Sequence, residues 1–167
     1  MASNEISITA HWTVPGTPSE VYEVLLDTEH YVDWWPEVFK SVTVVHQGSP
    51  EGGGKIANVQ TKGVLPYHLN WRITVVEPTA PAGFTVKASG DLVGQGIWFL
   101  RAEADQTAVQ YDWTVRVEKP IVRTLAPVLR PLLAFNHKWA MARGQEGLSR
   151  EMGRRVLRRR KATADGL

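Results

Sequence analysis

The strongest structural signal in the chain is residues 109–117, Val-Gln-Tyr-Asp-Trp-Thr-Val-Arg-Val, in which apolar side chains occupy every second position. Such alternation predicts a β-strand with one buried face. From Ile121 onward, apolar residues recur at intervals of three and four instead. This second period predicts one long amphipathic helix reaching about Arg160, and Pro127 and Pro131 leave open whether its first turns are kinked or it starts near Pro131.

The same pattern analysis, extended toward the N-terminus, predicts six further strands and two short helices. A half-buried strand covers residues 5–14, and Thr17, Pro18 and Glu20 then form a capping box with proline at the first helical position. A second short helix covers residues 29–35 and is stopped by Pro36. The remaining predicted strands are 40–46, 55–62, 68–76, 84–89 and 92–103.

This order predicts an α+β fold in which a curved, seven-stranded antiparallel sheet wraps around the long C-terminal helix, with the two short helices after strand 1. Such a sheet encloses a concave space suited to a ligand. Gly94 and Gly96 lie within one strand, where glycine marks a bend. Gly144 and Gly147 cost the predicted helix about 1 kcal/mol each relative to alanine. They indicate a close approach of the sheet or, alternatively, a helix end near Gly144.

Length and composition restrict the class of protein. The 167 residues suffice for one domain, which we assign to residues 1–152, followed by a basic tail, 153–167. The chain has no cysteine, which excludes disulfides, thiolate metal sites and a cysteine nucleophile. The sequence shows neither a secretory signal nor an apolar run of membrane-spanning length. We therefore expect a cytoplasmic protein.

The net charge of +2 is unevenly distributed along the chain. Residues 143–167 contain eight basic and three acidic residues, whereas residues 1–142 contain 11 basic and 14 acidic residues. The body is thus mildly acidic, and the case for a nucleic-acid partner is weak. For the tail we favour a solvated basic helix end that offsets the macrodipole, with peripheral contact to an anionic membrane or to another macromolecule as alternatives.

Several short runs, in this order, resemble a known superfamily. They are residues 18–22, 31–36, 63–67, 94–98, 111–113 and 136–141 (Pro-Ser-Glu-Val-Tyr, Tyr-Val-Asp-Trp-Trp-Pro, Gly-Val-Leu-Pro-Tyr, Gly-Gln-Gly-Ile-Trp, Tyr-Asp-Trp and Asn-His-Lys-Trp-Ala-Met). Over residues 5–152 the chain resembles the START/birch-pollen-allergen-like superfamily, SRPBCC, and within it the polyketide cyclase/dehydrase and lipid-transport group. The resemblance implies a helix-grip fold that binds hydrophobic small molecules. Some members are aromatase/cyclases or hydroxylase components, but the family has no universal catalytic motif, so no catalytic residue is assigned.

The predicted ligand pocket is aromatic. Strand parity puts Trp71, Trp98, Tyr111 and Trp113 on the concave face, and Trp139 faces them from the helix together with the polar Asn136. The alternative is that these rings only fill the core. For the helix, the alternative is that Asn136 bonds backbone within the helix or the sheet and His137 points to solvent.

Other candidate sites are disfavoured. His68, Arg72 and Asp112 have the parity of the outer face, so they are poor candidates for acid–base chemistry. The five histidines show no metal-binding spacing, and the glycine-rich runs 52–56 and 94–99 lack the residues of phosphate-binding and dinucleotide-binding loops. We predict no metal and no cofactor.

The leading functional hypothesis is binding of a hydrophobic small molecule, of polyketide, lipid or sterol-like type, in the internal cavity. One alternative is a polyketide cyclase/dehydrase enzyme, which would need a titratable group inside the pocket. Another is an interaction protein that uses the basic tail. The sequence leaves monomer and homodimer both open.

Overall fold

The computed structural model describes residues 5–166, apart from the side chain of residue 126. Seven strands form one sheet, and the only long helix among these residues follows the last strand. The strands are β1 Glu5–Pro15, β2 Phe39–His46, β3 Ile56–Thr61, β4 Leu69–Thr79, β5 Gly83–Gly90, β6 Leu92–Glu103 and β7 Gln106–Val117. The helices are α1 Pro18–Leu26, α2 Tyr31–Trp34 and α3 Pro120–Asp165, with a 3-10 turn, Thr28–His30, before α2.

All neighbouring strands are antiparallel, in the order β1-β7-β6-β5-β4-β3-β2. The chain therefore runs as a meander from β2 to β7, and β1 returns to pair with β7 from Glu5↔Arg116 to Pro15↔Gln106. Curvature is built into β6 at Gly94, whose φ of +153° is unfavourable for a residue with a Cβ atom. The predicted α+β helix-grip fold is confirmed.

The first helix begins as the sequence predicts. The Thr17 hydroxyl accepts a hydrogen bond from the Glu20 backbone N–H at 3.2 Å, and the Glu20 carboxylate accepts one from the Thr17 N–H at 3.2 Å. Pro18 occupies the first turn, where its missing N–H costs nothing. This reciprocal cap fixes the direction in which α1 leaves β1 and crosses the sheet.

Helix α3 starts at Pro120 and continues through Pro127 and Pro131 to Asp165, so neither a start near Pro131 nor an end near Gly144 is found. At about 1.5 Å per residue the helix is roughly 70 Å long, and its C-terminal part extends beyond the sheet. Val122 and Leu133 anchor the first half, since each is only 2% exposed.

The prediction that Gly144 and Gly147 admit the sheet is wrong for Gly147, where the close neighbour is α2. A Cβ atom at Gly147 would overlap with the Trp34 carbonyl oxygen. At Gly144 it would lie 2.6 Å from the Trp35 ring, which follows α2, and 3.1 Å from Trp12 of β1. Helix α3 therefore touches the short helical segment directly and reaches the sheet beside it.

Among residues 5–166, no helix has both the length and the apolar character that crossing a membrane requires. Nor do three or more His, Asp or Glu side chains converge within this range on a point where a metal ion could be held.

Candidate functional site: an aromatic cavity between sheet and helix

A cavity of about 80 Å³ lies between the concave face of the sheet and α3. Its walls come from every layer of the fold. The sheet contributes aromatic and aliphatic side chains, the short helical segment contributes Thr28, Tyr31 and Trp35, and the loop after β3 contributes Lys62 and Gly63. The α3 residues that line the cavity are Asn136, His137, Ala140 and Met141.

The sheet wall is a continuous run of rings. Trp98 and Tyr111 are directly opposite each other on β6 and β7, and their rings stack with centroids 3.8 Å apart at 15°. Tyr111 in turn stacks on Trp113 at 5.6 Å, and Trp113 meets Trp71 at 5.7 Å. Alternate positions on neighbouring strands share one face, which explains how the period-two pattern assembles this wall.

Gly96 makes room for the run. It faces Trp113 in the β6–β7 register, and a Cβ atom there would overlap with the Tyr111 hydroxyl and lie 2.6 Å from the Trp113 ring. Glycine at this position therefore lets the Tyr111 ring lie flat against the sheet, with its hydroxyl over the β6 backbone.

On the helix side, Asn136 holds the loop after β3. Its Oδ1 accepts a hydrogen bond from the Val64 backbone N–H at 2.8 Å. A Cβ atom at Gly63 would overlap with the same oxygen, so glycine is needed for this approach. Asn136 thus bonds backbone, but in the loop after β3 and not within the helix or the sheet as the alternative proposed.

His137 is buried and lines the cavity, so the alternative that it points to solvent is wrong. Desolvation lowers the pKa of its imidazole to about 4, because burial disfavours the charged form. The ring is therefore neutral near pH 7. Helical spacing could have indicated this position, since His137 follows the buried Leu133 by four residues and precedes the buried Ala140 by three.

Trp139, predicted to face the sheet aromatics, is not among the residues that line the cavity. It comes two residues after His137, which turns it by about 200° around the helix. It is half-buried and packs against the edge of the core. The predicted residues that do line the cavity are Trp71, Trp98, Tyr111, Trp113 and Asn136.

Three further polar groups face the cavity. The Thr28 hydroxyl is buried and has no hydrogen-bond partner among the described residues. Tyr31 donates its hydroxyl hydrogen to the Leu25 carbonyl oxygen, and Thr61 accepts a hydrogen bond from Trp71 Nε1 at 2.9 Å. Burial raises the pKa of both Tyr31 and Tyr111, so the two phenols stay protonated. The sequence did not reveal Thr28, Tyr31 and Trp35, because it does not tell where the short helices pack.

The residues predicted to face outward do so. His68 and Arg72 are exposed, and Arg72 Nε donates to Asn58 Oδ1 at 2.9 Å on the outer face of the sheet. Asp112 is half-buried on that face and accepts from Gln110 Nε2 at 3.0 Å. The titratable groups that line the cavity are thus His137, Tyr31, Tyr111 and Lys62.

This arrangement, a meander gripping one long helix over an aromatic cavity, agrees with a family comparison. The sequence profile described as polyketide cyclase / dehydrase and lipid transport matches residues 5–153. The chain belongs to this family.

Solved structures support the fold. The Zhui aromatase/cyclase from Streptomyces sp. R1128 matches with a TM-score of 0.70 at 16% identity, covering 91% of this chain and 96% of that one. A START superfamily protein from Mycobacterium smegmatis gives 0.62 at 17%, covering 89% and 98%. Norcoclaurine synthase from Thalictrum flavum gives 0.57 at 16%, covering 90% and 98%. Among curated proteins, none matches the sequence.

Proposed function

We propose that this protein binds a flat, largely apolar small molecule, of polyketide, lipid or sterol-like type, between the sheet and α3. The observation that supports the proposal most is the stacked wall of Trp98, Tyr111 and Trp113 facing the cavity. Aromatic faces favour stacked or edge-on contact with planar and apolar groups. The cavity is also lined by few polar groups, as ligand sites usually are.

The polar groups would orient the ligand. Neutral His137 has one ring nitrogen that accepts and one that donates, and the Thr28 hydroxyl has no partner among the described residues. A buried polar group without a partner costs about 1–3 kcal/mol. A ligand hydroxyl or carbonyl that satisfies these groups would recover that free energy, and a pure hydrocarbon would not.

A polyketide-sized ligand requires the cavity to widen. An apolar cavity of about 150 Å³ takes up benzene, whereas this one measures about 80 Å³. The wall best able to move is the loop 62–68, because it has no regular secondary structure. Its movement away from α3 would break the Val64–Asn136 hydrogen bond. We therefore infer that the ligand enters between this loop and α3.

Binding can be tested on the purified protein with an environment-sensitive apolar dye. We expect Trp113→Leu, which removes part of the wall, to weaken dye binding at least tenfold. Trp139→Leu is the matched control, because Trp139 lies outside the lining. Equal loss in both variants, or no loss in either, would contradict a site at the aromatic wall. Mass spectrometry of a solvent extract of the protein would identify a co-purified ligand.

The second candidate function is that of a polyketide cyclase/dehydrase, favoured by one observation, the neutral His137 inside the cavity. An imidazole there could take a proton from the carbon between two ketones and return it to the alkoxide that ring closure forms. A base is most effective when its pKa lies near the working pH, and a pKa of about 4 is well below it. This comparison makes binding the better supported function.

A turnover assay separates the two candidates. A linear poly-keto thioester is incubated with the protein and with His137→Gln, and cyclised product is measured. If the protein is an enzyme that uses His137, the variant should lose turnover while still binding the apolar dye. No turnover by the parent protein would leave binding as the function.

A further inference from the structure

The first half of α3 exposes an apolar stripe. Ile121, Leu125, Val128, Leu132 and Phe135 are 65%, 47%, 80%, 49% and 58% exposed. Their spacing of four, three, four and three residues keeps them within about 80° of the helix circumference. We call this set the outer stripe. Contiguous apolar surface of this kind is uncommon on a soluble monomer and usually marks an interaction site.

The outer stripe is distinct from the side of α3 that packs on the protein. That inner side carries Val122 and Leu133, each 2% exposed. The helix therefore has two apolar sides, and only the inner one is covered by the described residues. The core needs only the inner side, so packing within the chain does not explain the outer stripe.

The outer stripe continues onto the loop that borders the cavity. Val64, 45% exposed, is held to α3 by the hydrogen bond from its N–H to Asn136, the residue after Phe135. The apolar surface thus extends from the helix to the loop 62–68.

The charge of this region restricts the partner. Between residues 119 and 145 the chain has five basic residues and no acidic one. Arg130 and Lys138 are exposed, and neither forms an ion pair with any described residue. Amphipathic helices with leucine, phenylalanine and tryptophan on one side and arginine and lysine on the other lie in the surface plane of anionic membranes.

A second copy of the chain fits the stripe less well. Intervals of four and three residues also suit packing against a second helix, but only where the helix stays regular along the whole stripe. Pro127 and Pro131 lie beside the stripe in the same stretch of α3, and each removes a backbone hydrogen bond that keeps a helix straight. Two copies would also bring like charges together. A lipid surface needs no such complementary shape.

We propose that the outer stripe, with Val64 of the neighbouring loop, docks the protein on the surface of an anionic lipid bilayer. The helix lies parallel to the surface with the stripe among the headgroups and upper acyl chains, and Arg130 and Lys138 attract the lipid phosphates. The proposal is independent of the proposed function, because docking requires no ligand in the cavity. It also differs from the basic-tail hypothesis, since the tail is at the opposite end of α3.

Vesicle flotation tests this proposal on the full chain. Vesicles of phosphatidylcholine with phosphatidylglycerol should carry the protein upward, and vesicles of phosphatidylcholine alone should carry much less. Val128→Gln with Phe135→Gln should reduce binding at least tenfold. The matched control is Leu157→Gln with Phe99→Gln, which are 65% and 46% exposed but lie elsewhere, and it should bind like the parent.

A second pair of variants tests the charge. Arg130→Gln and Lys138→Gln should each lower binding roughly fivefold, whereas Arg158→Gln and Arg160→Gln in the tail should have little effect. Equal binding to both kinds of vesicle would overturn the proposal, as would unchanged binding by the Val128/Phe135 variant. A dimer in sedimentation equilibrium that this variant dissociates, without vesicle binding by the parent, would assign the stripe to a second copy instead.

Discussion

A glycine next to the aromatic wall, Gly96, determines how the Tyr111 and Trp113 rings lie. Because a Cβ atom at Gly96 would overlap with the Tyr111 hydroxyl, Gly96→Ala must displace the Tyr111 and Trp113 rings. We expect a loss of unfolding free energy of about 1–3 kcal/mol, as for other overpacked cores, together with weaker dye binding. Denaturant unfolding and dye titration measure the two effects. Unchanged stability would show that the rings are not confined by the β6 backbone.

The buried histidine gives the molecule a pH-dependent stability. An ordinary histidine has a pKa of about 6.5, whereas that of His137 is lowered to about 4 by desolvation. Between these values the unfolded state binds a proton that the folded state does not. Stability should therefore be full above about pH 6.5 and fall by about 3 kcal/mol as the pH drops to 4.

Urea unfolding at several pH values, for the parent and for His137→Gln, measures this dependence. The variant should lose the part of the slope that His137 contributes between pH 6.5 and 4. The other titratable groups that line the cavity are Tyr31, Tyr111 and Lys62, and burial raises the pKa of both tyrosines further above this range. A slope that is identical in both proteins would argue against a neutral, buried imidazole.

Residue-level patterns predicted the sheet side of the cavity better than the helix side. Alternation in a strand has a period of two, so one clear parity assigns Trp71, Trp98, Tyr111 and Trp113 to one face. Helix α3 has apolar residues on two sides, so its pattern does not show which side faces the cavity. Trp139 and His137 are about 200° apart, and only packing against the sheet determines which of them is inside.

At the scale of elements, the contact between α3 and α2 requires a residue without a side chain at position 147. Glycine to alanine normally stabilises a helix by about 1 kcal/mol. Gly147→Ala should have the opposite effect, because its Cβ atom would overlap with the Trp34 carbonyl oxygen and push α3 away from α2. We expect a loss of a few kcal/mol, measured by thermal or denaturant unfolding.

Gly153→Ala is the internal comparison on the same helix. A Cβ atom there meets nothing within 4 Å, so this variant should gain about 0.5–1 kcal/mol. The prediction is a reversal of sign between two glycines six positions apart. Stabilisation by both substitutions would contradict the direct contact between α2 and α3.

The order of elements could be predicted because each has a local signature: the capping box of α1, the proline after α2 and the alternation in β7. The course of α3 through Pro127 and Pro131 could not. Each proline removes one hydrogen bond, but Val122 and Leu133 are buried on the same stretch and compensate for the loss. That compensation depends on tertiary packing, which the sequence does not display.

At the scale of the molecule, three parts of α3 differ in what they contact. The first half of α3 carries the outer stripe, the middle closes the cavity with Asn136 and His137, and the last part extends beyond the sheet. Docking by the stripe would place the loop 62–68, where we infer that the ligand enters, at the membrane surface. The docking site and the proposed entrance would then be neighbours, and an apolar ligand could pass between them without crossing bulk water.

The boundary that composition suggests at residues 152/153 lies within α3, and the chain beyond it still contacts the body. Val156 is 8% exposed beside Gly16, and Arg159 Nη1 lies 3.0 Å from Glu20 Oε1. The neighbouring Leu157 is 65% exposed. The basic tail, 153–167, is defined by charge alone, and it includes Val156, which is packed into the fold.

Two truncations should accordingly differ. Removing residues 161–167, of which 161–166 are exposed, should leave the unfolding free energy unchanged. Removing 153–167 should lower it by about 2 kcal/mol, because the buried Val156 is lost and Met152 is uncovered. Val156→Ala and Leu157→Ala repeat the comparison without shortening the helix, and only the first should destabilise. If the longer truncation has the same unfolding free energy as the full chain, residues 153–167 do not stabilise the fold. Any role of this segment would then have to rest on its charge.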